Sequence, residues 1–123
     1  MQEIKSISDK RLIVPMTVNG RELNFLVDTG ASVGLISKRV KGLKKGRRYD
    51  NVIGAGGKLE TYICDTFATL GGKTFSQFLI ADIDNIIASI RHETGVEIAG
   101  IISLPQMRFY GVEIDTDDNF IRI

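Results

Sequence analysis

The chain has little of the chemistry on which several large classes of enzyme depend. Of its 123 residues, one is cysteine (Cys64) and one is histidine (His92). A lone cysteine cannot form an intrachain disulfide, and without a cluster of thiols there is no zinc site of the cysteine type. A lone histidine excludes Cys-His and Ser-His-Asp catalysis unless a second chain completes the site.

The chain also lacks an excess of charge of one sign and long apolar runs. Sixteen basic and fifteen acidic side chains give a net charge of +1, which indicates neither a nucleic acid nor a membrane as partner. No apolar run is long enough to span a bilayer, and residues 1–5 do not resemble the apolar part of a signal peptide. We therefore expect a cytoplasmic protein. Its length and its 43% of hydrophobic residues predict one domain spanning residues 1–123.

The densest charge lies between residues 38 and 48, where no acidic residue interrupts the basic ones. We interpret this run as a solvated loop, because only Tyr49 supplies an aromatic side chain beside it and stacking with bases needs several. Contact with an acidic substrate or with nucleic acid is the alternative interpretation. The basic residues are Lys38, Arg39, Lys41, Lys44, Lys45, Arg47 and Arg48.

Alternating apolar residues and turn dipeptides predict a mostly β fold. Leu12 to Val18 alternate up to Asn19-Gly20, a dipeptide typical of a hairpin turn, and the chain returns over Leu23 to Val27. Gly71-Gly72 predicts a second hairpin turn, before a strand over Phe75 to Ile80. Four of the remaining segments are predicted as a strand or extended loop over 33–40, an exposed loop over 41–51, a flexible turn over 52–58 and a strand over 59–70. The last two are a strand of the buried type over 96–102, around Gly100, and a closing hairpin of 112–114 with 120–123.

Two short helices complete the prediction. Apolar residues at helical spacing predict a helix over Asp84 to Thr94, with Asp82 or Asp84 as its cap and Gly95 at its end. A shorter helix is predicted after Ser103, which would be its N-cap, with Pro105 in the first turn.

The two halves of the chain contain a weak internal sequence repeat. Val18 to Arg21 leads into the apolar residues 25–27, and Leu70 to Lys73 leads into the similar residues 78–80. Two similar hairpins, each followed by an apolar segment, suggest a pseudo-twofold arrangement within the domain.

The most informative motif is Asp28-Thr29-Gly30, followed by Ala31-Ser32. An apolar, strand-like run delivers the carboxylate into a Thr-Gly turn. Such a turn holds an acid rigidly, while glycine lets backbone and substrate approach it closely. The chain contains the triplet once, so a mechanism that uses two such aspartates requires a second copy of the chain.

With this motif placed after a strand and a hairpin, the chain resembles the retropepsin-like aspartic proteases, the single-domain retroviral and bacterial type. The resemblance spans roughly residues 11–123. It implies a mostly β fold, a closed acid-protease β-barrel monomer with one or two short helices and a flap hairpin. It also implies an aspartic endopeptidase that acts on peptide or protein substrates as a symmetric homodimer, with the terminal segments as interface strands and without a metal or cofactor.

The resemblance also assigns roles to individual residues. Asp28 would be one member of a catalytic dyad, Thr29 would hydrogen-bond across the dimer, and Gly30 would let the backbone lie close to the substrate. The substrate-binding residues would come from the Asp28 loop, from the flap, whose place residues 49–62 occupy, and from residues 98–103, which stand where the family has an apolar strand containing glycine. They are Ala31, Ser32, Ile53, Gly54, Ala55, Gly56, Gly57 and Ile102.

One position departs from the pattern of the family, because Ser103 stands where glycine is usual. If this position needs a positive φ, serine is strained there; if it opens a helix, serine is a good cap. The departure motivates a second hypothesis, a peptide-binding or dimerisation module without catalysis. A third hypothesis, a phosphohydrolase with Asp28 as nucleophile, is disfavoured because such enzymes usually need another aspartate where Gly30 stands.

Overall fold

The computed structural model describes residues 2–54 and 57–123. Within them the chain is mostly β with two helices, as predicted. The strands are β1 (Glu3–Lys5), β2 (Ile13–Val18), β3 (Arg21–Asp28), β4 (Gly34–Ser37), β5 (Lys45–Gly54), β6 (Gly57–Cys64), β7 (Ala68–Leu70), β8 (Lys73–Phe75), β9 (Phe78–Ala81), β10 (Gly100–Ser103), β11 (Glu113–Asp115) and β12 (Phe120–Arg122). The helices are α1 (Asp84–Thr94) and α2 (Leu104–Phe109).

The strands form one large sheet and one small sheet. The large sheet has the order β5-β6-β9-β4-β10-β3-β2-β7-β8, and the small one has the order β1-β12-β11. Within the described residues, the outermost strands of the large sheet pair only with their own hairpin partners, β5 with β6 and β8 with β7. Among residues 2–54 and 57–123 no strand joins the two hairpins, so the large sheet is open there and the predicted closed barrel is not confirmed.

The four central strands of the large sheet repeat in sequence as well as in pairing. Strand β10 lies between β3, to which it is parallel, and β4, to which it is antiparallel, and β4 pairs in parallel with β9. Strands β4 and β10 read Gly-Leu-Ile-Ser and Gly-Ile-Ile-Ser; β3 ends in Phe-Leu-Val-Asp and β9 reads Phe-Leu-Ile-Ala. Asp28 pairs with Ser103, and Ala81 pairs with Ser37. The predicted repeat therefore extends into these strands. At the equivalent position, Asp28 carries a carboxylate in one half and Ala81 carries a methyl group in the other.

Close packing of the central strands requires a glycine in β10. A side chain at Gly100 would place its Cβ 2.4 Å from Phe25 Cε2 and 2.6 Å from the carbonyl oxygen of Leu35. Phe25 is completely buried and meets Phe78 edge-on, with ring centroids 5.5 Å apart. The aromatic core thus determines how closely β3, β4 and β10 lie together.

Helix α1 covers the predicted range and ends at Gly95, whose φ is +75°. The predicted side-chain cap is wrong, because the N-cap is Ile83 and no side chain caps the helix there. The Asp82 carboxylate instead accepts a hydrogen bond from the Asp84 N–H at 3.0 Å. Neither helix in the described part of the chain is long and apolar enough to cross a membrane.

Strand β5 occupies much of the region predicted as an exposed loop over 41–51. The side chains are mostly exposed as predicted, but from Lys45 onward the chain pairs with β6, with two shifts of register. Basic residues and glycine have low β propensity, so the strand depends on its partner rather than on its own sequence. The predicted strands over 59–70 and 75–80 are each broken in two, the second at Gln77, whose φ is +66°.

Candidate active site

Asp28 is the last residue of β3, a strand that is paired on both sides. Strand β3 pairs with β2 on one side and with β10 on the other, where Asp28 lies opposite Ser103. The preceding residue, Val27, is in the core, and its N–H donates to the carbonyl oxygen of Leu12 at 2.9 Å. The Asp28 side chain itself is half-buried, so a rigid strand delivers a carboxylate that still reaches solvent.

A tight turn after β3 binds this carboxylate to the backbone. The Gly30 N–H donates to Asp28 Oδ1 at 2.9 Å, and the Ala31 N–H donates to the Asp28 carbonyl oxygen at 3.2 Å. A Cβ atom at Gly30 would lie only 3.3 Å from Asp28 Oδ1. Thr29, Gly30 and Ser32 are exposed, and Ala31 is half-buried. The turn therefore presents an oriented carboxylate at the surface, as the motif predicted.

Ser103 connects this turn to helix α2. Its φ of −87° and ψ of 161° are extended, so the alternative of a strained serine is wrong and serine opens the helix. The Ser103 hydroxyl accepts the Gln106 N–H at 3.4 Å, in a capping box. The next N–H, that of Leu104, donates to the Ala31 carbonyl oxygen at 3.2 Å. The departure at Ser103 thus gives a capped helix whose first residue holds the Asp28 turn.

The hairpin of β5 and β6 carries three more of the predicted substrate-binding residues, Ile53, Gly54 and Gly57. Its pairing extends to Gly54 opposite Gly57, and the predictions for Ala55 and Gly56 lie outside the described residues. Ile53, next to the end of β5, is 80% exposed. An apolar side chain with this exposure is available to contact a ligand.

Polar contacts hold the hairpin together further from its tip. The Thr61 hydroxyl donates to the Tyr49 carbonyl oxygen at 2.5 Å, which links the two strands. The Tyr62 hydroxyl donates to Glu60 Oε1 at 2.5 Å, and the Lys45 ammonium lies 3.6 Å from the centroid of the Tyr62 ring. The hydrogen bond between Tyr62 and Glu60 lowers the pKa of the glutamate and raises the pKa of the tyrosine.

Ile102 does not lie with the other predicted substrate-binding residues. It pairs with Val27 and is 1% exposed, because every residue of the central strand β10 is buried. In the sheet, strands β10, β4 and β9 separate β3 from the β5–β6 hairpin. The structure thus brings residues 28–32 together in one turn, separates β3 from the hairpin by three strands in the order of the sheet, and puts Ile102 in the core.

Two surface cavities of the described residues lie away from the Asp28 turn. The larger, of about 1210 Å³, is lined by residues of β3 and α1, among them Leu23 and Ile87. The smaller, of about 590 Å³, is lined by residues that include Lys45, Tyr62 and Ile80. Residues 28–32 line neither of these two cavities, and three residues of the turn, Thr29, Gly30 and Ser32, are exposed in a single chain.

The basic residues between 38 and 48 are on the surface, and several are paired with acids. The Arg39 guanidinium binds both carboxylate oxygens of Asp84, with Nε 2.8 Å from Oδ1 and a terminal nitrogen 2.6 Å from Oδ2. Lys38 Nζ lies 3.6 Å from Asp82 Oδ2. The hydrogen bond from Arg39 lowers the pKa of the Asp84 carboxyl, and the carboxylate raises the pKa of Arg39. With Arg48, whose Nε lies 3.2 Å from Asp50 Oδ1, three of the seven basic residues are therefore paired with an acid in the described part of the chain.

Sequence reasoning missed Gln106, whose side chain is buried beside the Asp28 turn. It is 5% exposed. Its Oε1 accepts the Ser103 N–H at 2.9 Å and the Ser103 hydroxyl at 3.0 Å, while its Nε2 donates to the Ser76 carbonyl oxygen at 2.9 Å. A glutamine three residues after a serine N-cap is the signature of a capping box, and that signal was available in the sequence.

Comparison with known proteins gives the same fold. The family described as aspartyl protease matches residues 14–105, well over half of the chain. EIAV protease, in a complex with the inhibitor HBY-793, is 24% identical with a TM-score of 0.60, over 86% of this chain and 93% of that chain. The retroviral protease-like domain of Ddi1 from Leishmania major is 22% identical with a TM-score of 0.62, over 93% of this chain and 88% of that one.

A third solved structure covers nearly all of both chains. The retropepsin-like aspartic protease from Rickettsia conorii is 22% identical with a TM-score of 0.55, over 98% of this chain and 97% of that one. No curated protein matches the chain by sequence. The family match contains the Asp28 turn, Ser103 and the strands that hold them, and the solved structures confirm the resemblance. The chain therefore belongs to the aspartyl protease family and has the retropepsin-like fold.

Proposed function

We propose that the chain is an aspartic endopeptidase that works as a homodimer, with one Asp28 from each subunit in its active site. The observation that carries this proposal is the exposed turn after β3, where the Gly30 N–H holds the Asp28 carboxylate at 2.9 Å. It belongs to a chain of the aspartyl protease family.

The need for two chains follows from the number of carboxylates. The Asp-Thr-Gly triplet occurs once in the sequence. In the second half of the sheet, the position equivalent to Asp28 is occupied by Ala81, which has no carboxylate. The turn is exposed in a single chain, and Thr29 at its tip is free to bond across a twofold axis. A symmetric dimer would bring the two Asp28 residues together on that axis.

Two adjacent carboxylates can perform hydrolysis without a metal. About 3 Å apart, they cannot both ionise readily, so they share one proton and titrate as a unit; aspartic proteases are the standard illustration of this behaviour. The ionised Asp28 takes a proton from a water whose oxygen attacks the peptide carbonyl carbon, while the protonated Asp28 gives its proton to the carbonyl oxygen. The C–N bond of the tetrahedral gem-diol then breaks: the protonated Asp28 gives its proton to the leaving nitrogen, and the ionised Asp28 takes a proton from one hydroxyl as the carbonyl forms again. The pair is left with its one shared proton.

The substrate in this proposal is an extended peptide that lies between the dyad and the β5–β6 hairpin. Ala31 and Ser32 contact it beside the dyad. The hairpin acts as the flap, closing over the peptide as an added strand and excluding water, with Ile53 and residues 54–57 as its contact surface. Ile102 has no part in this surface, because it is buried in the core.

Digestion of a diverse peptide library, read by mass spectrometry from acidic to neutral pH, tests the proposal. Asp28→Asn should abolish cleavage and leave the fold and the dimer intact. Asp65→Asn, which changes an exposed residue of the loop between β6 and β7, is the matched control and should cleave like the parent. Cleavage by Asp28→Asn at the rate of the parent would contradict the mechanism.

A peptide-binding or dimerisation module is the second candidate function. The observation that favours it is the exposure of Thr29, Gly30 and Ser32 in a single chain, where an apposed peptide or second chain could contact them. This candidate predicts that peptides bind to the parent and to Asp28→Asn with equal affinity and are cleaved by neither.

A further inference from the structure

The Gln106 amide lies where several elements around the Asp28 turn converge. Its oxygen accepts two hydrogen bonds from Ser103, at the end of β10, and its nitrogen donates one to Ser76, between β8 and β9. Among the described residues, no buried side-chain nitrogen or oxygen lacks a hydrogen-bond partner. The amide is therefore held in one orientation by three bonds to two separate segments.

Gly34 places a third segment against the same amide. It is buried at the start of β4, where the chain leaves the Asp28 turn. A Cβ atom at Gly34 would lie 2.1 Å from Gln106 Oε1 and 2.6 Å from Gln106 Cδ. The space that a side chain at this position would need is thus filled by the Gln106 amide, and the backbone of β4 lies directly against it.

These contacts connect Gln106 to both ends of the turn. At one end, Ser103 pairs with Asp28 across the β3–β10 ladder. Toward the other end, the Leu104 N–H bonds to the Ala31 carbonyl oxygen at 3.2 Å, and Leu104 is the first residue of the helix that carries Gln106. A displacement of the Gln106 amide would therefore be transmitted to the backbone before and after the carboxylate.

We infer that Gln106 and Ser103 are a positioning pair for the Asp28 carboxylate. The inference rests on the proposed function, because the property that the pair controls is the placement of one Asp28 relative to the other in the dimer. A displacement of about 1 Å at a reacting group can lower a rate on the order of a hundredfold. The pair touches neither substrate nor reacting atoms, and its effect passes through the turn.

Kinetics of three substitutions test the inference. Gln106→Leu and Ser103→Ala should each lower kcat per folded dimer by at least about tenfold, with a change in KM of less than about threefold, because the turn moves while the substrate surface stays. Thr66→Val is the matched control. It removes another buried hydroxyl, which accepts the Lys44 N–H at 2.7 Å, and it should lower stability without lowering kcat per folded dimer.

Gln106→Glu adds a readout that a purely structural role would not give. The introduced carboxyl can donate to the Ser76 carbonyl oxygen only when protonated, and ionised it would face that oxygen with like charge. Burial also favours the protonated form. The kcat of Gln106→Glu relative to the parent should therefore be near unity in acid and fall as pH rises.

Two kinds of result separate this inference from the proposed function. If the parent cleaves peptides in an Asp28-dependent manner and all the variants retain its kcat per folded dimer, the positioning role is refuted and the proposed function stands. If the parent cleaves nothing, the titration of the Asp28 carboxyl in the dimer, followed by ¹³C NMR, tests both the shared proton of the dyad and the positioning role. An Asp28 that titrates as an isolated carboxyl refutes both, whereas a coupled titration that is the same in Gln106→Leu refutes the positioning role alone.

Discussion

Replacing Gly34 by alanine should displace the Gln106 amide and destabilise the protein. The new methyl carbon would lie 2.1 Å from Oε1 and 2.6 Å from Cδ of Gln106, which is far inside van der Waals contact. Gly34 of β4 pairs with Phe78 of β9, so the backbone at Gly34 cannot retreat without breaking the ladder. The amide must therefore leave its place.

The size of the effect follows from the bonds that the amide makes. Its three hydrogen bonds are worth about 1 kcal/mol each, and their loss also leaves buried groups unpaired. Alanine is favoured over glycine in a strand by roughly 0.5–1 kcal/mol, which offsets part of the loss. Gly34→Ala should therefore lower the free energy of unfolding by about 2–3 kcal/mol. In a Gln106→Ala variant, the methyl group introduced at position 34 enters the space that the Gln106 amide occupies in the parent. In that variant, Gly34→Ala should lower the free energy of unfolding by less than about 1 kcal/mol.

Urea unfolding of the parent, both single variants and the double variant measures this coupling. Far-UV circular dichroism is a suitable probe, and all four proteins must be compared at one protein concentration because dimer formation would contribute to stability. Gly34→Ala combined with Thr66→Val is the control, since these residues share no contact in the Gln106 network, and their effects should add. If the effects of Gly34→Ala and Gln106→Ala also add, to within about 0.5 kcal/mol, the reasoning is refuted.

Three further predictions concern the dimer, the acid response and the core. Mixing parent and Asp28→Asn chains in equal amounts, with free exchange, should leave about one quarter of the parent activity per total chain, because both subunits must carry the carboxylate; about one half would indicate that each chain acts alone. Asp84→Asn should destabilise the protein near neutral pH. Arg39 lowers the pKa of Asp84 in the folded protein, so the Asp84 carboxylate stabilises the fold above its unfolded pKa and loses this effect as pH falls through its folded pKa. The difference in the free energy of unfolding between parent and variant should therefore vanish in acid. A difference that persists in urea titrations at acid pH would contradict this. Gly100→Ala should lower the free energy of unfolding by about 1–3 kcal/mol through overlap with Phe25, or more if the strands separate; a parent-like urea midpoint would count against the close packing.

Local signals in the sequence were sufficient for the turns and the helices. Asn19 and Gly20 have φ values of +52° and +75°, as a tight hairpin requires, and this dipeptide predicts such a turn wherever it stands between strands. Gly95 ends α1 in the left-handed conformation, and Ser103 caps α2. Each of these features depends on residues only a few positions apart, which is why sequence patterns predict them.

Long-range pairing accounts for most of what the sequence did not predict. Ile102 was assigned to the substrate surface, but the insertion of β10 between β3 and β4 buries it. Strand β5 exists because β6 pairs with it, and its own basic residues give no strand signal. The end of a strand at Asp28 is confirmed, whereas the contact of Gln106 with Gly34 joins residues far apart in the sequence and has no local signature.

The position of β10 also has a consequence for the order in which the protein folds. Strand β10 (residues 100–103) lies between β3 and β4, and both of these strands end at or before residue 37. The frame of the Asp28 turn therefore closes only when residues 100–103 join strands that precede them by more than sixty residues, and such long-range closure is slow compared with hairpin formation. During synthesis, Asp28 lacks the strand and the helix that hold its turn until residues 100–109 have been made. Any activity that depends on this turn would thus be delayed until that point.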